Sequence, residues 1–402
     1  MKKSMRKITL LMALFMLAFG MKIPLFAEST AFYTENASED AANGDIAPED
    51  APTLSCVSAI LMEESTGKIL YAKNANEALP PASVTKVMTL LLIMEAIEAG
   101  QIHMDDTVSV SANAASMGGS QVYLKEGEKM PLEDLLKSVV IASANDAAVA
   151  LAEHLCGSVE TFVSKMNQRA KQLGMKQTTF ENVTGLDDTA QNHLTSAHDI
   201  AVMSRELISH KDILQYSSIW MDTIRDGAFG LTNTNRLVRY YQGCTGLKTG
   251  STEKAGFCVS ATAKRDHLSL ICVIMGAKSR DVRNAEASSL LDWGFSTYTL
   301  FSVDEEQVGE VEVVRGVTPR CSLASQATSY VVEKGDLKSI TSEIVLPDSV
   351  NAPVKVGDII GKRVFSCNGE VLGTVPVYAT VSINVMDFFE ILKRMAASFL
   401  LI

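Results

Sequence analysis

Pro80-Pro81-Ala82-Ser83-Val84-Thr85-Lys86 runs straight into Val87-Met88-Thr89-Leu90-Leu91-Leu92-Ile93-Met94. A hydroxyl and an amine stand three residues apart, and in a helix positions i and i+3 share a face, so Ser83 and Lys86 point into one space. The two prolines suit the approach and first turn of a helix, not its interior. The run from Val87 to Met94 is apolar nearly all round, as in a helix buried in a domain core. A nucleophile at the start of such a helix is held rigidly, near outward-facing backbone donors. The spacing alone proves little, because Ser-x-x-Lys recurs at Ser4/Lys7, Ser65/Lys68 and Ser251/Lys254. The setting and the partners must single out Ser83.

With 402 residues, 47% apolar and 21% charged, the chain has the material for two globular domains and additional segments. A net charge of −11 argues against nucleic acid as a partner. Seven cysteines, at 56, 156, 244, 258, 272, 321 and 367, form no C-x-x-C pair, so neither a zinc site nor a disulfide framework is read. His193 and His198 beside Asp199 invite a metal reading, but structural polar contacts suit them better. No metal site is read from them.

Lys2, Lys3, Arg6 and Lys7 precede the apolar stretch 8–19, with small-residue cleavage available after Ala27. Residues 1–27 therefore read as a secretory signal peptide. Residues 28–52 carry seven acidic and no basic residues and read as a disordered tether. Strand-like runs 57–62 and 68–72 flank Glu64-Ser65-Thr66-Gly67, a hairpin signal that places Ser65 in a turn. Helices are expected over 131–142, 146–155 and 196–209. Gly246-Leu247-Lys248-Thr249-Gly250 then leads into strand runs 256–264 and 268–276, and a helix follows over about 281–295. Strands at both ends with helices between them suggest an antiparallel sheet flanked by a helical lobe, the first and last strands meeting in one sheet.

From 302 to 384 short valine-rich runs alternate with glycine, proline and aspartate, the texture of a small all-β domain. At the end, Phe388, Ile391, Leu392, Met395, Phe399 and Ile402 form one apolar stripe. At about 1.5 Å per residue the segment 385–402 is too short to cross a hydrocarbon core of about 30 Å. An amphipathic helix lying in the membrane surface fits it.

Three fragments carry the chemistry: Ser83 with Lys86, Ser143-Ala144-Asn145, and Lys248-Thr249-Gly250. Ser-x-Asn also occurs at Ser111/Asn113 and Ser382/Asn384, whereas Lys-Thr-Gly occurs once. A serine hydroxyl is a weak nucleophile until a base takes its proton. A lysine amine becomes that base only when its pKa falls, which burial and a neighbouring cation both promote. Lys248 is a candidate for that second charge.

In these motifs the chain resembles the low-molecular-mass penicillin-binding proteins that act as D-alanyl-D-alanine carboxypeptidases. The signal peptide, Thr184-Gly185-Leu186-Asp187, the carboxy-terminal β domain and the terminal helix extend the resemblance over nearly the whole chain. It implies an α/β (α+β) fold of the transpeptidase/β-lactamase-like kind over 53–301, with its antiparallel sheet and helical lobe. It implies removal of the last D-alanine of a peptidoglycan stem peptide through an acyl-enzyme on Ser83, with Lys86 as general base. Ser143 then relays a proton to the leaving nitrogen, and Asn145 orients Lys86 and a substrate amide. Lys248 and Thr249 suit a substrate carboxylate, and the amides of Ser83 and Ser251 suit an oxyanion. Gly250 is expected to let an extended substrate pair with the strand edge. A carboxylate-binding arginine is expected after the last strand, Arg283 in preference to Arg280. By the same resemblance β-lactams should acylate Ser83, no metal or organic cofactor is needed, and the enzyme should be exported and held peripherally on the outer face of the cytoplasmic membrane.

Ser251 departs from relatives that carry a histidine after Lys-Thr-Gly, which puts a side-chain role there in question. A secreted serine β-lactamase shares the three motifs, and Glu181 lies where its deacylating glutamate is sought, without a surrounding Glu-x-x-x-Asn. A penicillin-binding endopeptidase and a non-catalytic wall-binding sensor are the other rivals; the intact Ser83, Lys86 and Lys248 speak against the sensor.

Overall fold

The computed structural model describes residues 44–187 and 190–400. The expected signal peptide, the tether as far as 43, and Ile402 of the terminal stripe lie outside them.

Strands β1 (Ser58–Glu63) and β2 (Ile69–Lys73) form a hairpin, closed as expected by Glu64-Ser65-Thr66-Gly67. Its clasp is the buried Glu63 carboxylate, which accepts from the backbone and hydroxyls of Ser65 and Thr66. Ser65 is thus spent in a turn. Helix α1 (Lys86–Glu98) follows, then α2 (Leu132–Ile141), α3 (Asn145–Cys156), α4 (Val159–Gln172) and α5 (Ala197–Ser209). The chain returns to strands β3 (Cys244–Thr252), β4 (Gly256–Arg265) and β5 (Leu268–Ala277), and closes the domain with α6 (Arg280–Thr297).

These strands form one antiparallel sheet in the order β2-β1-β5-β4-β3. The continuous apolar runs of β1 and β5 are explained by burial on both faces. In β1, Ile60 and Met62 join Val87, Leu91 and the helical lobe, while Ala59 and Leu61 join Ala287, Leu290 and Leu291 of α6. The α1 run is buried at every position from Lys86 to Met94, as its all-round apolarity requires.

Two expectations change. Residues 45–52 are not free tether. Ile46 exchanges backbone hydrogen bonds with Ala72 at 2.8 and 2.7 Å, and Asp45 and Asp50 accept from Asn74 N and Trp293 Nε1. Their acidic side chains cap the sheet instead of repelling one another. Nor does Lys-Thr-Gly open a strand: Lys248 is the fifth residue of the nine-residue β3.

Strands β6 (Tyr298–Val303), β7 (Glu306–Val314), β8 (Arg320–Ser325), β9 (Thr328–Glu333), β10 (Ile340–Val345), β11 (Ser349–Asn351), β12 (Ile359–Cys367) and β13 (Glu370–Ala379) build the second domain. Its main sheet runs β10-β12-β13-β8-β7-β11 over a core of Val311, Val313, Leu323, Val377 and Ile383. β6 pairs with β9, so strand structure of this region begins at Tyr298, within the segment expected to end the first domain at 301. Helix α7 (Phe388–Leu400) presents Phe388, Phe389, Ile391, Leu392 and Met395 to solvent. Among the described residues no helix is long and apolar enough to cross a membrane.

Candidate active site

Ser83 sits in a 3-10 turn, Ala82–Thr85, one step before α1. The turn begins with Ala82 at φ +48°, the left-handed region that alanine avoids. Lys86 opens α1 and is fully buried. Its Nζ lies 2.9 Å from Ser83 Oγ and 2.9 Å from the Thr184 carbonyl. A neutral amine that donates to that carbonyl keeps its lone pair for the serine proton. Burial holds the Lys86 amine well below the usual lysine range, and the charge of Lys248 adds to the effect against the opposing pull of Asp146.

Lys248 is also enclosed, and burial, helped by the charge of Arg283, brings it down to about 7. Arg283 is 3% exposed and lowered to about 10 by burial and then by Arg280. Its guanidinium donates to Cys258 O and Asn284 Oδ1, and among the described residues it has no carboxylate partner. Arg280 points to solvent. Lys86, Lys248 and Arg283 therefore form a chain of buried cationic positions, each felt by the next, which favours an anion in their midst.

Ser143 sits between α2 and α3, and Asn145 opens α3. Ser143 takes φ +62°, and among the described residues its buried Oγ meets no partner. Asn145 Nδ2 donates to Gly118 O at 2.8 Å, while its buried Oδ1 is likewise unpartnered. Buried polar atoms are ordinarily hydrogen-bonded, so these two are the groups free to meet a substrate. Asp146 fixes the facing loop by accepting from Val122 N and Leu124 N.

Thr249 Oγ1 donates to Thr234 Oγ1 at 2.8 Å, and Thr234 N donates to Ile141 O. Thr234, unremarkable in sequence, ties the Lys-Thr-Gly strand to the helical lobe. A Cβ on Gly250 would stand 2.7 Å from Ser83 N and 2.9 Å from Pro81 O and Val84 N. The glycine is thus required by the nucleophile turn packed against it, a reason different from the expected substrate pairing. β3 nevertheless keeps one free sheet edge. Ser251 is exposed on it.

The other sequence candidates are occupied elsewhere. Lys254 Nζ donates to Asp187 O, so the Ser251/Lys254 spacing forms no pair. Glu181 accepts from Gln191 N and Asn192 N, which makes it a loop clasp and removes the basis for a deacylating glutamate. His198 meets Asp199 at 3.3 Å, and His193 bridges Thr85 and the Glu181 amide.

The family profile described as D-alanyl-D-alanine carboxypeptidase matches residues 46–279, and that of the penicillin-binding protein 5 C-terminal domain matches 295–384. The D-alanyl-D-alanine carboxypeptidase DacF of Bacillus subtilis is 43% identical over 344 residues, covering 84% of this chain and 88% of its own. The crystal structure of penicillin binding protein 5 from Haemophilus influenzae superposes with a TM-score of 0.75 at 29% identity, covering 84% of this chain and 99% of that one. The ampicillin-bound penicillin-binding protein D2 of Listeria monocytogenes superposes with a TM-score of 0.56 at 32% identity, covering 61% and 100%.

Proposed function

The chain belongs to the D-alanyl-D-alanine carboxypeptidase family and is a serine carboxypeptidase, and on that premise we propose how its own residues carry the reaction. Ser83 is the nucleophile. Its proton passes to Lys86 Nζ as Oγ attacks the carbonyl of the terminal D-Ala-D-Ala bond. The amides of Ser83 and Ser251 receive the oxyanion. The proton travels from Lys86 through Ser143 to the leaving nitrogen, the C–N bond breaks, and D-alanine departs. Water then opens the ester by the reverse proton path. Asn145 holds the substrate amide, and Lys248, Thr249 and Arg283 hold the terminal carboxylate. The observation that carries this reading is the enclosed Lys86 amine, 2.9 Å from Ser83 Oγ and with its proton affinity lowered by burial.

The substrate is the peptidoglycan stem peptide, and β-lactams acylate the same serine, in keeping with the ampicillin-bound relative. Residues 1–27 direct export, and α7, with its exposed apolar side chains, anchors the protein to the outer face of the membrane. The test is Ser83→Ala. Release of alanine from a D-Ala-D-Ala peptide, followed by mass spectrometry, and covalent labelling by a fluorescent penicillin should both vanish. Retained labelling would place the nucleophile elsewhere.

A further inference from the structure

Thr85 has no part in the steps above, yet it is fully buried and bonded on both sides. Its Oγ1 donates to the Ala82 carbonyl at 2.8 Å and stands 2.7 Å from His193 Nε2. The other ring nitrogen, Nδ1, accepts from Glu181 N at 3.0 Å. A backbone N–H only donates, so Nδ1 is the acceptor and Nε2 carries the hydrogen. The donors therefore run in one direction, from His193 Nε2 to Thr85 Oγ1 and from Thr85 to Ala82 O.

That carbonyl has a consequence for the chemistry. It shares a trans peptide plane with the amide of Ser83, so the C=O and the N–H point opposite ways. Holding the carbonyl inward aims the amide outward, where the oxyanion forms. Ala82 at φ +48° would not keep this orientation unaided. The far side is closed by Gly185, on which a Cβ would lie 1.8 Å from Ala82 O. His193 is itself fixed by the pairings of Leu194 with Thr179 and of Thr195 with Leu79, and by the Phe180 ring edge-on at 5.8 Å.

We propose that His193 is a positioning residue for acyl transfer: in its neutral Nε2–H form it acts through Thr85 and the Ala82 carbonyl to aim the Ser83 amide. The inference rests on the reading of Ser83 as nucleophile. Burial brings the ring down to about 4 despite the opposing charges of Glu181 and Asp187, the charged groups that face it. A protonated ring would set an N–H at Nδ1 against the Glu181 N–H.

The test measures penicillin acylation of the full chain, separating noncovalent binding from the rate of the covalent step. His193→Leu and Thr85→Val should each slow the covalent step about 10- to 100-fold with binding changed less than about threefold. His193→Gln, which supplies a donor and an acceptor, and Thr85→Ser should recover most of the rate. The double variant His193→Leu/Thr85→Val should be no slower than the slower single, because both break one chain. Independent, multiplying losses, or a loss confined to binding, would overturn the proposal. Should His193→Leu not fold, the contrast between Thr85→Val and Thr85→Ser still decides it. Labelling of Ser83→Ala would sink the nucleophile reading, whereas an unlabelled Ser83→Ala with wild-type rates in His193→Leu would sink this inference alone.

Discussion

Gly250 faces the backbone nitrogen of Ser83 so closely that a Cβ on the glycine would stand 2.7 Å from it. The strand that presents Lys248 and the turn that presents Ser83 are thus held in contact by a missing methyl group. Gly250→Ala should push them apart. The expected cost is about 1–3 kcal/mol of stability, as for other overpacked sites. Acylation should slow by about 100-fold, the usual effect of misplacing a reacting group by about 1 Å. Stopped-flow acylation and chemical denaturation check both values; an unchanged acylation rate would contradict the contact.

Lys86 should be a stability liability that activity requires. The unfolded chain keeps the lysine proton up to about pH 10.4, whereas the folded amine releases it far lower because it is buried. The unfolded state then binds more protons over that window. Stability consequently rises with pH, by up to about 1.4 kcal/mol per unit from this group. Lys86→Met should abolish acylation and lose that slope, so its advantage over the natural protein is greatest near neutrality and shrinks towards pH 10. Denaturation curves at several pH values read this directly. Identical slopes would mean that Lys86 stays protonated when folded.

Arg283 and Arg280 should separate cleanly. The buried Arg283 guanidinium lacks a carboxylate partner among the described residues and lowers the Lys248 pKa. Arg283→Gln should raise KM for a D-Ala-D-Ala peptide by about 10- to 100-fold, as expected for loss of a charge-assisted contact. It should also move the alkaline limb of kcat/KM, which begins near pH 7 where Lys248 loses its charge, to higher pH. The exposed Arg280→Gln should stay within about threefold. The reverse ranking would transfer the carboxylate role to Arg280.

Truncation before Met386 should release the mature protein from membranes with its carboxypeptidase rate unchanged. Phe388, Phe389, Ile391 and Leu392 are exposed in α7 and belong to none of the hydrophobic cores of the described residues. Flotation with vesicles of mixed zwitterionic and anionic lipids measures the partition. Continued flotation of the truncated chain would assign the anchor elsewhere.

Much of this was legible in the residues. The apolar runs of β1, α1 and β5 announce burial on every side, and Ser83 and Lys86 meet as their spacing requires. β3 was harder, because Lys248 and Thr249 interrupt any apolar alternation while being only 1% and 5% exposed. Their concealment depends on the Ala82–Thr85 turn and α1 packed on the strand, far away in sequence. Thr234, the turn at Ala82 and the bond from His193 to Thr85 have no local signature at all. Residues 45–52 misled for a related reason: acidic side chains read as solvated until Asn74 and Trp293 are placed beside them.

β1 lies inside the sheet, second of its five strands, and Met62 there pairs with Ile271, some two hundred residues later. During synthesis the hairpin of β1 and β2 must therefore wait, one edge unpaired, until β5 has been made. Contacts so distant along the chain form late. Throughout that interval Ser83 exists without Lys248 beside it and without Gly250 to seat its turn. A growing or cut-off chain thus carries Ser83 and Lys86 without the strand that supplies Lys248 and seats the serine's turn.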